Sequence, residues 1–367
     1  MNSDNSKERI KWIDFLKGIA CMIVIIGHTH SAYNDNLTQP FETFLTTVCS
    51  PFLNGSLMVC LFSVLSGYVS FKDNQKVNLI KAMIKRYLQL MIPILFTGII
   101  VAVIQRTIGF AKPIVRAELG ITSSTYLETI PLKEVLYEGL IGVLFRGQCT
   151  INPAFWMMRS LFFGTIICRI NNFLIGLTKS RLRGGIIVLG IMLSIIIKDH
   201  IILSVLLGYL VKFLRENYYS FLTDRLAIVI IVITSFMAGW GHHLLYIIIS
   251  QYITEIPKSF DAVGKWSAIW MFFLVWAIDN YSKSNSFTYS KGLIRVGKVC
   301  MGMFCFHNIL ICGVGIDMFS NCGRIFGYDL SFIIVCVLIV LLTIALSCLY
   351  EMTVGEFANK LIRKIRT

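Results

Sequence analysis

Long apolar runs, separated by short polar and basic segments, cover this chain from end to end. Ten of the runs read as membrane-spanning helices: roughly 11–31, 48–71, 87–105, 154–171, 185–199, 201–215, 225–241, 266–281, 298–316 and 330–350. Crossing hydrocarbon upright takes about 20 mainly apolar residues, and several runs are shorter. The apolar piece 135–145 and the run 243–254 fit a re-entrant or interfacial helix as well as an extension of a neighbouring span. The fold class is therefore all-α, a polytopic integral membrane protein of about ten transmembrane helices in one domain, 1–367. The first run is too long for a signal-peptide core and no A-x-A site follows, so it is expected to stay as the first helix.

Polar residues inside the runs carry most of the information. In Ile10 to His30, IKWIDFLKGIACMIVIIGHTH, ten residues lie between Lys17 and His28. Eleven helical steps of about 100° return to within about 20° of the starting face. Lys17, Cys21, Val24 and His28 thus form one stripe, with about 16 Å along the axis between Lys17 and His28. A cation and an imidazole at these depths are costly in lipid; such groups face a protein interior or a watery cavity. His28 suits general-base work near neutral pH, or else it hydrogen-bonds at the interface. Lys17 suits an anionic donor, or else it snorkels and pairs with Asp14 at i, i+3.

Later runs add weaker candidates. The segment from Phe62 to Tyr68, FSVLSGY, closes the second run with small residues that let helices approach closely. Lys85 and Arg86 open the third run, as a topology anchor or as ligands for phosphates of a donor. In NPAFWMMRSLFF, Trp156 fits a membrane interface, and Arg159 is expected to turn inward because lipid exposure is costly. His307, in MFCFHNIL, is equally expensive at mid-membrane; the alternative to function is a hydrogen bond to another helix.

Composition narrows the class. The chain has 367 residues, 56% of them hydrophobic and only 15% charged. A net charge of +14 would suit nucleic acid, but the basic residues do not gather in one polar domain. Of 34 lysines and arginines, 23 fall in segments read as cytoplasmic and 9 in segments read as external. That is the positive-inside bias, and it puts both termini in the cytoplasm. The same topology leaves an external loop at about 106–153 and gathers five of the six histidines, His28, His30, His200, His242 and His243, toward the outside. Eight of the 11 cysteines lie within apolar runs, where they read as packing residues; Cys49, Cys149 and Cys322 are near the outer side, to pair or stay free. No CxxC or Cys/His metal spacing occurs, so no metal is expected.

Taken together, DFLKGIACMIVIIGH, LFSVLSGY, the basic run ending at Pro93, NPAFWMMRSLFF and VGKVCMGMFCFHNIL resemble the acyltransferase 3 family, over about residues 8–350. The first block is the most specific, because Lys17 and His28 fit the family's Arg/Lys-x10-His motif. The resemblance implies about ten membrane helices in the plasma or inner membrane. It also implies transfer of an acyl group, often acetyl, from cytoplasmic acyl-CoA to a hydroxyl of an extracytoplasmic or lipid-linked carbohydrate. By carry-over His28 is catalytic and Lys17 its basic partner, while Lys85 and Arg86 bind the donor. Glu42, Trp156, Arg159 and His307 are expected at the acceptor or in support. The family's Arg-x-x-Arg before the third span reads Arg86-x-x-Gln89 here, so one arginine is missing and Lys85 is the expected substitute. The family's Tyr-Leu-x-His block keeps His307 without its tyrosine. No extra hydrolase-like domain is expected. The partners implied are a glycan acceptor and membrane lipids, with self-association open and nucleic acid excluded. A transporter or exporter of a cell-envelope intermediate is the competing class, weakened by the lack of an internal repeat.

Overall fold

A computed structural model describes residues 10–71, 78–110, 113–120, 129–177, 187, 190–192, 199–217, 223–241, 260–284 and 289–365. Every element among them is helical. Four helical stretches are long and apolar enough to cross a membrane: Lys11–Asn36, Leu79–Thr107, Cys300–Phe326 and Tyr328–Arg363. Helices also occupy the expected runs at 48–71, 154–171, 201–215, 225–241 and 266–281, whereas 185–199 lies mainly outside the described residues and 243–254 wholly so.

The elements are α1 (Lys11–Tyr33), α2 (Gln39–Thr47), α3 (Ser50–Leu53), α4 (Gly55–Ser70), α5 (Leu79–Thr107), α6 (Pro113–Glu118), α7 (Leu132–Tyr137) and α8 (Met158–Leu177). They continue with α9 (His200–Asn217), α10 (Asp224–Phe236), α11 (Phe260–Ser284), α12 (Lys291–Lys298), α13 (Cys300–Leu310), α14 (Ile316–Phe326), α15 (Tyr328–Tyr350) and α16 (Glu356–Arg363). The ambiguous piece 135–145 is helical, α7 running on as a π-helix over Glu138–Arg146.

Glycine sets the closest crossings. A Cβ on Gly67 of α4 would strike the carbonyl of Val205, and one on Gly208 of α9 would strike that of Val64. The small residues of FSVLSGY therefore serve packing, as their type predicts. Gly18 and Gly297 do the same for α1 against α12. On α15, Val335, Ile339 and Thr343 are buried while Ile333, Val337, Leu341 and Leu349 are exposed. An outer face this apolar suits hydrocarbon.

Three expected spans are broken, each for a local reason. The run 48–71 is interrupted at Asn54, whose side chain accepts the Leu57 N–H at 3.0 Å and starts α4 afresh. The run 298–316 begins after a break at Val299 and turns π-helical over Ile311–Gly315, with Gly313 at φ −100°, ψ −111°. The carbonyls freed there find donors: Tyr33 Oη to Ile311 O at 2.7 Å and Arg116 Nη2 to Cys312 O at 2.9 Å. The last run bends through a π-turn at Glu351–Gly355 into α16. All 11 cysteines are free thiols, including Cys49, Cys149 and Cys322.

Candidate functional site

His28 lies five residues before the end of α1 and borders a cavity of about 260 Å³. Ser31, Asn54, Ser56 and Trp156 line the same cavity. Gly27 creates the opening: a Cβ there would meet Leu53 O at 2.6 Å, so only glycine lets the α3–α4 junction come this close. Trp156 is carried on the turn Pro153–Met157, which Asn152 starts. Asn152 is buried, accepts the Ala154 N–H at 3.1 Å and donates to Cys305 O on α13 at 3.0 Å. One side chain thus fixes the Trp156 turn to the helix that carries His307.

His307 is the close neighbour of His28, with ring centroids 5.2 Å apart. It is buried, and its Nδ1 lies 2.9 Å from Met303 O. A carbonyl only accepts, so Nδ1 carries the proton and Nε2 is the lone-pair nitrogen of the neutral ring. That Nε2 is buried and has no hydrogen-bond partner among the described residues. A buried polar atom left unmatched is costly, and such atoms recur at functional sites. Spacing along the sequence gives no sign that His28 and His307 meet, although both are readable as costly polar residues.

The remaining candidates sort by position. Cys21 and Val24 of the predicted stripe are buried, so that face of α1 points into the bundle. Asp14, three residues before Lys17 on α1, is buried. Glu42 does not reach His28; its carboxylate pairs with His30 Nε2 at 2.8 Å and ties α2 to α1. Arg159 departs from expectation: it is exposed rather than turned inward, with its stem beside Gly147. A long, flexible arginine can place its guanidinium at the polar edge of a bundle, where the desolvation expected to turn it inward does not apply. His200 is buried under Trp156, ring centroids 6.2 Å apart, while His242 and His243 lie outside the described residues.

Charged groups collect at the opposite end of the bundle. Arg86 Nε donates to Thr165 Oγ1 at 3.0 Å, joining the start of α5 to the middle of α8. Asp279, at 1% exposure, accepts Tyr68 Oη at 2.8 Å and Arg215 Nη1 at 2.6 Å; Arg215 also donates to Tyr68 Oη. Lys212 Nζ sits 5.1 Å from the Tyr68 ring centre. This network joins α4, α9 and α11, and reading the sequence missed it. The signal available was one aspartate, Asp279, inside the apolar run 266–281. Among the described residues no group of three or more His, Cys, Asp or Glu is placed to hold a metal.

The molecule therefore has a His28-lined cavity backed by a second, buried imidazole at one end and a cluster of charged side chains at the other, inside an apolar helical bundle. No curated protein and no solved structure matches the chain. A family model described as an acyltransferase domain matches residues 10–352, nearly the whole length, and the chain belongs to the acyltransferase 3 family of membrane acyltransferases.

Proposed function

We propose that this protein is an O-acyltransferase that moves an acyl group, acetyl foremost, from acyl-CoA to a hydroxyl of a carbohydrate acceptor. The observation that carries the reading is His28: it makes no hydrogen bond among the described residues, yet borders a cavity with Ser31, Asn54 and Ser56 in its wall and abuts the buried imidazole of His307. With neither ring nitrogen bonded among the described residues, this imidazole is open to take a substrate proton.

In the reaction, His28 accepts the proton of the acceptor hydroxyl as its oxygen attacks the thioester carbonyl. The carbon–sulfur bond then breaks, the thiolate leaves, and the proton held by His28 returns to it. Ester and free thiol are the products. Ser31, Asn54 and Ser56 offer polar contacts to a sugar, and Trp156 offers a flat apolar face. The unpaired His307 Nε2 is suited to accept a hydrogen bond from the acceptor and hold it beside His28. Lys17 lies on the same helix toward the cationic end, where Lys85 and Arg86 suit the donor's phosphates. We read the protein as a multi-pass component of the plasma or inner membrane, with donor and acceptor arriving from opposite sides.

The test is transfer from labelled acetyl-CoA by protein in nanodiscs, wild type beside His28→Ala. Loss of about 10²- to 10⁴-fold is expected with the chain still folded. Near-normal turnover by the variant would remove His28 from the chemistry.

A further inference from the structure

Arg86 and Arg169 lie along one helix interface. Arg86 is bonded to Thr165 on α8, and Arg169 stands one turn further along the same face of that helix. The guanidinium of Arg86 lies within the field of Arg169. Neither side chain forms an ion pair with a carboxylate among the described residues, and Arg169 Nε is buried without any hydrogen-bond partner. Like charges brought together in a bundle interior, with donors left over and no acid to neutralise them, lack an anion.

The chemistry of the donors limits that anion. Two guanidiniums supply two positive charges and a planar array of N–H groups, which matches a phosphomonoester dianion better than a singly charged diester. We propose that Arg169, with Arg86, forms a phosphomonoester-binding pair across the α5–α8 interface. The second guanidinium that Arg86-x-x-Gln89 lacks is thereby supplied from another helix.

Applied to the donor, this rests on the acyl-CoA reading above, because coenzyme A carries one phosphomonoester that dephospho-coenzyme A lacks. A lipid headgroup with a phosphomonoester has the same chemistry, so the experiment uses both probes. Affinity for coenzyme A and dephospho-coenzyme A is measured by calorimetry in maltoside micelles without phospholipid, for wild type, Arg169→Gln and Arg169→Lys. Retention of phosphatidic acid is measured on the same proteins by native mass spectrometry. Wild type should prefer coenzyme A by about 10- to 100-fold, Arg169→Gln should lose that preference, and Arg169→Lys should keep part of it. Phosphatidic acid retained by wild type and lost by Arg169→Gln, with no discrimination between the nucleotides, would keep the phosphate pair but assign it to lipid. It would also count against the donor reading alone. Glutamine and wild-type proteins that behave alike toward both probes, while Arg169→Lys elutes as a folded monodisperse species, would overturn the proposal.

Discussion

Asp279 offers the sharpest test of what holds the cationic end together. It is 1% exposed and is shared by Arg215 and Tyr68. Replacing it with alanine leaves a guanidinium and a phenol facing each other without their anion. Breaking a buried pair by deleting one partner costs about 3–5 kcal/mol. Arg215, however, is 26% exposed, so water recovers part of its solvation and the expected loss falls to about 2–3 kcal/mol. That is roughly 30- to 150-fold in the folded-to-unfolded ratio. Tyr68→Phe removes both hydrogen bonds that the phenol makes to charged groups, about 1.5–3 kcal/mol together. Because both changes strike one network, the double variant should fall short of the sum by about 1 kcal/mol. The assay is equilibrium unfolding in mixed micelles, followed by tryptophan fluorescence, with the four proteins run together. Asp279→Ala within about 0.5 kcal/mol of wild type, or strictly additive losses, would refute the assignment of this cluster as a shared structural network.

Two further predictions separate contact from chemistry. Gly208→Ala should destabilise by about 1–3 kcal/mol, because its Cβ would meet the Val64 backbone, whereas Gly176→Ala, with nothing within 4 Å, should be neutral or gain up to about 1 kcal/mol. Equal midpoints for the two would show that α4 and α9 do not cross at glycine. His307→Phe should lower acyl transfer by about 10- to 100-fold while leaving donor affinity within about twofold, since the ring at risk is the one beside His28. Unchanged turnover would reduce His307 to a packing residue.

What the sequence reveals here follows from the range over which each interaction acts. The stripe on α1 is legible because helix geometry alone puts Lys17, Cys21, Val24 and His28 on one face, and Cys21 and Val24 are buried as it requires. Long apolar segments are legible because hydrocarbon thickness sets their length. Helix breaks are not: Asn54 ends one helix and starts another through a single side-chain cap, and Gly313 bends α13 only because Tyr33 and Arg116 accommodate the freed carbonyls. Those donors lie hundreds of residues away or in a loop that sequence alone describes merely as long. Glu42 shows the same limit from the other side: proximity in sequence to both His28 and His30 does not say which one it meets, and it meets His30. Asp279 and Arg215 stand at the last turns of their apolar runs, where neither charge names its partner until the fold joins them.

The kink beyond His307 has a consequence for the cavity. A regular helix from Cys300 to Phe326 would carry its last turns straight on; the π-turn at Ile311–Gly315 redirects α14 and leaves Ile311 and Cys312 carbonyls exposed to capture. Tyr33 captures one from the end of α1, the helix that also carries His28. Arg116 captures the other from α6, within the loop read as external. The same loop region is pinned from below, since Asn36 donates to Leu119 O at 2.8 Å and Arg324 of α14 pairs with Glu118. The spacing of the two imidazoles is therefore set by contacts on three sides: Tyr33 joins α1 to the kink, Asn152 joins α13 to the Trp156 turn, and Arg116 holds the kink from outside. Each imidazole belongs to a different helix, and neither bonds to the other. Such a brace, assembled from residues outside the cavity, holds two unbonded rings 5.2 Å apart, with His28 bordering the cavity and His307 buried behind it.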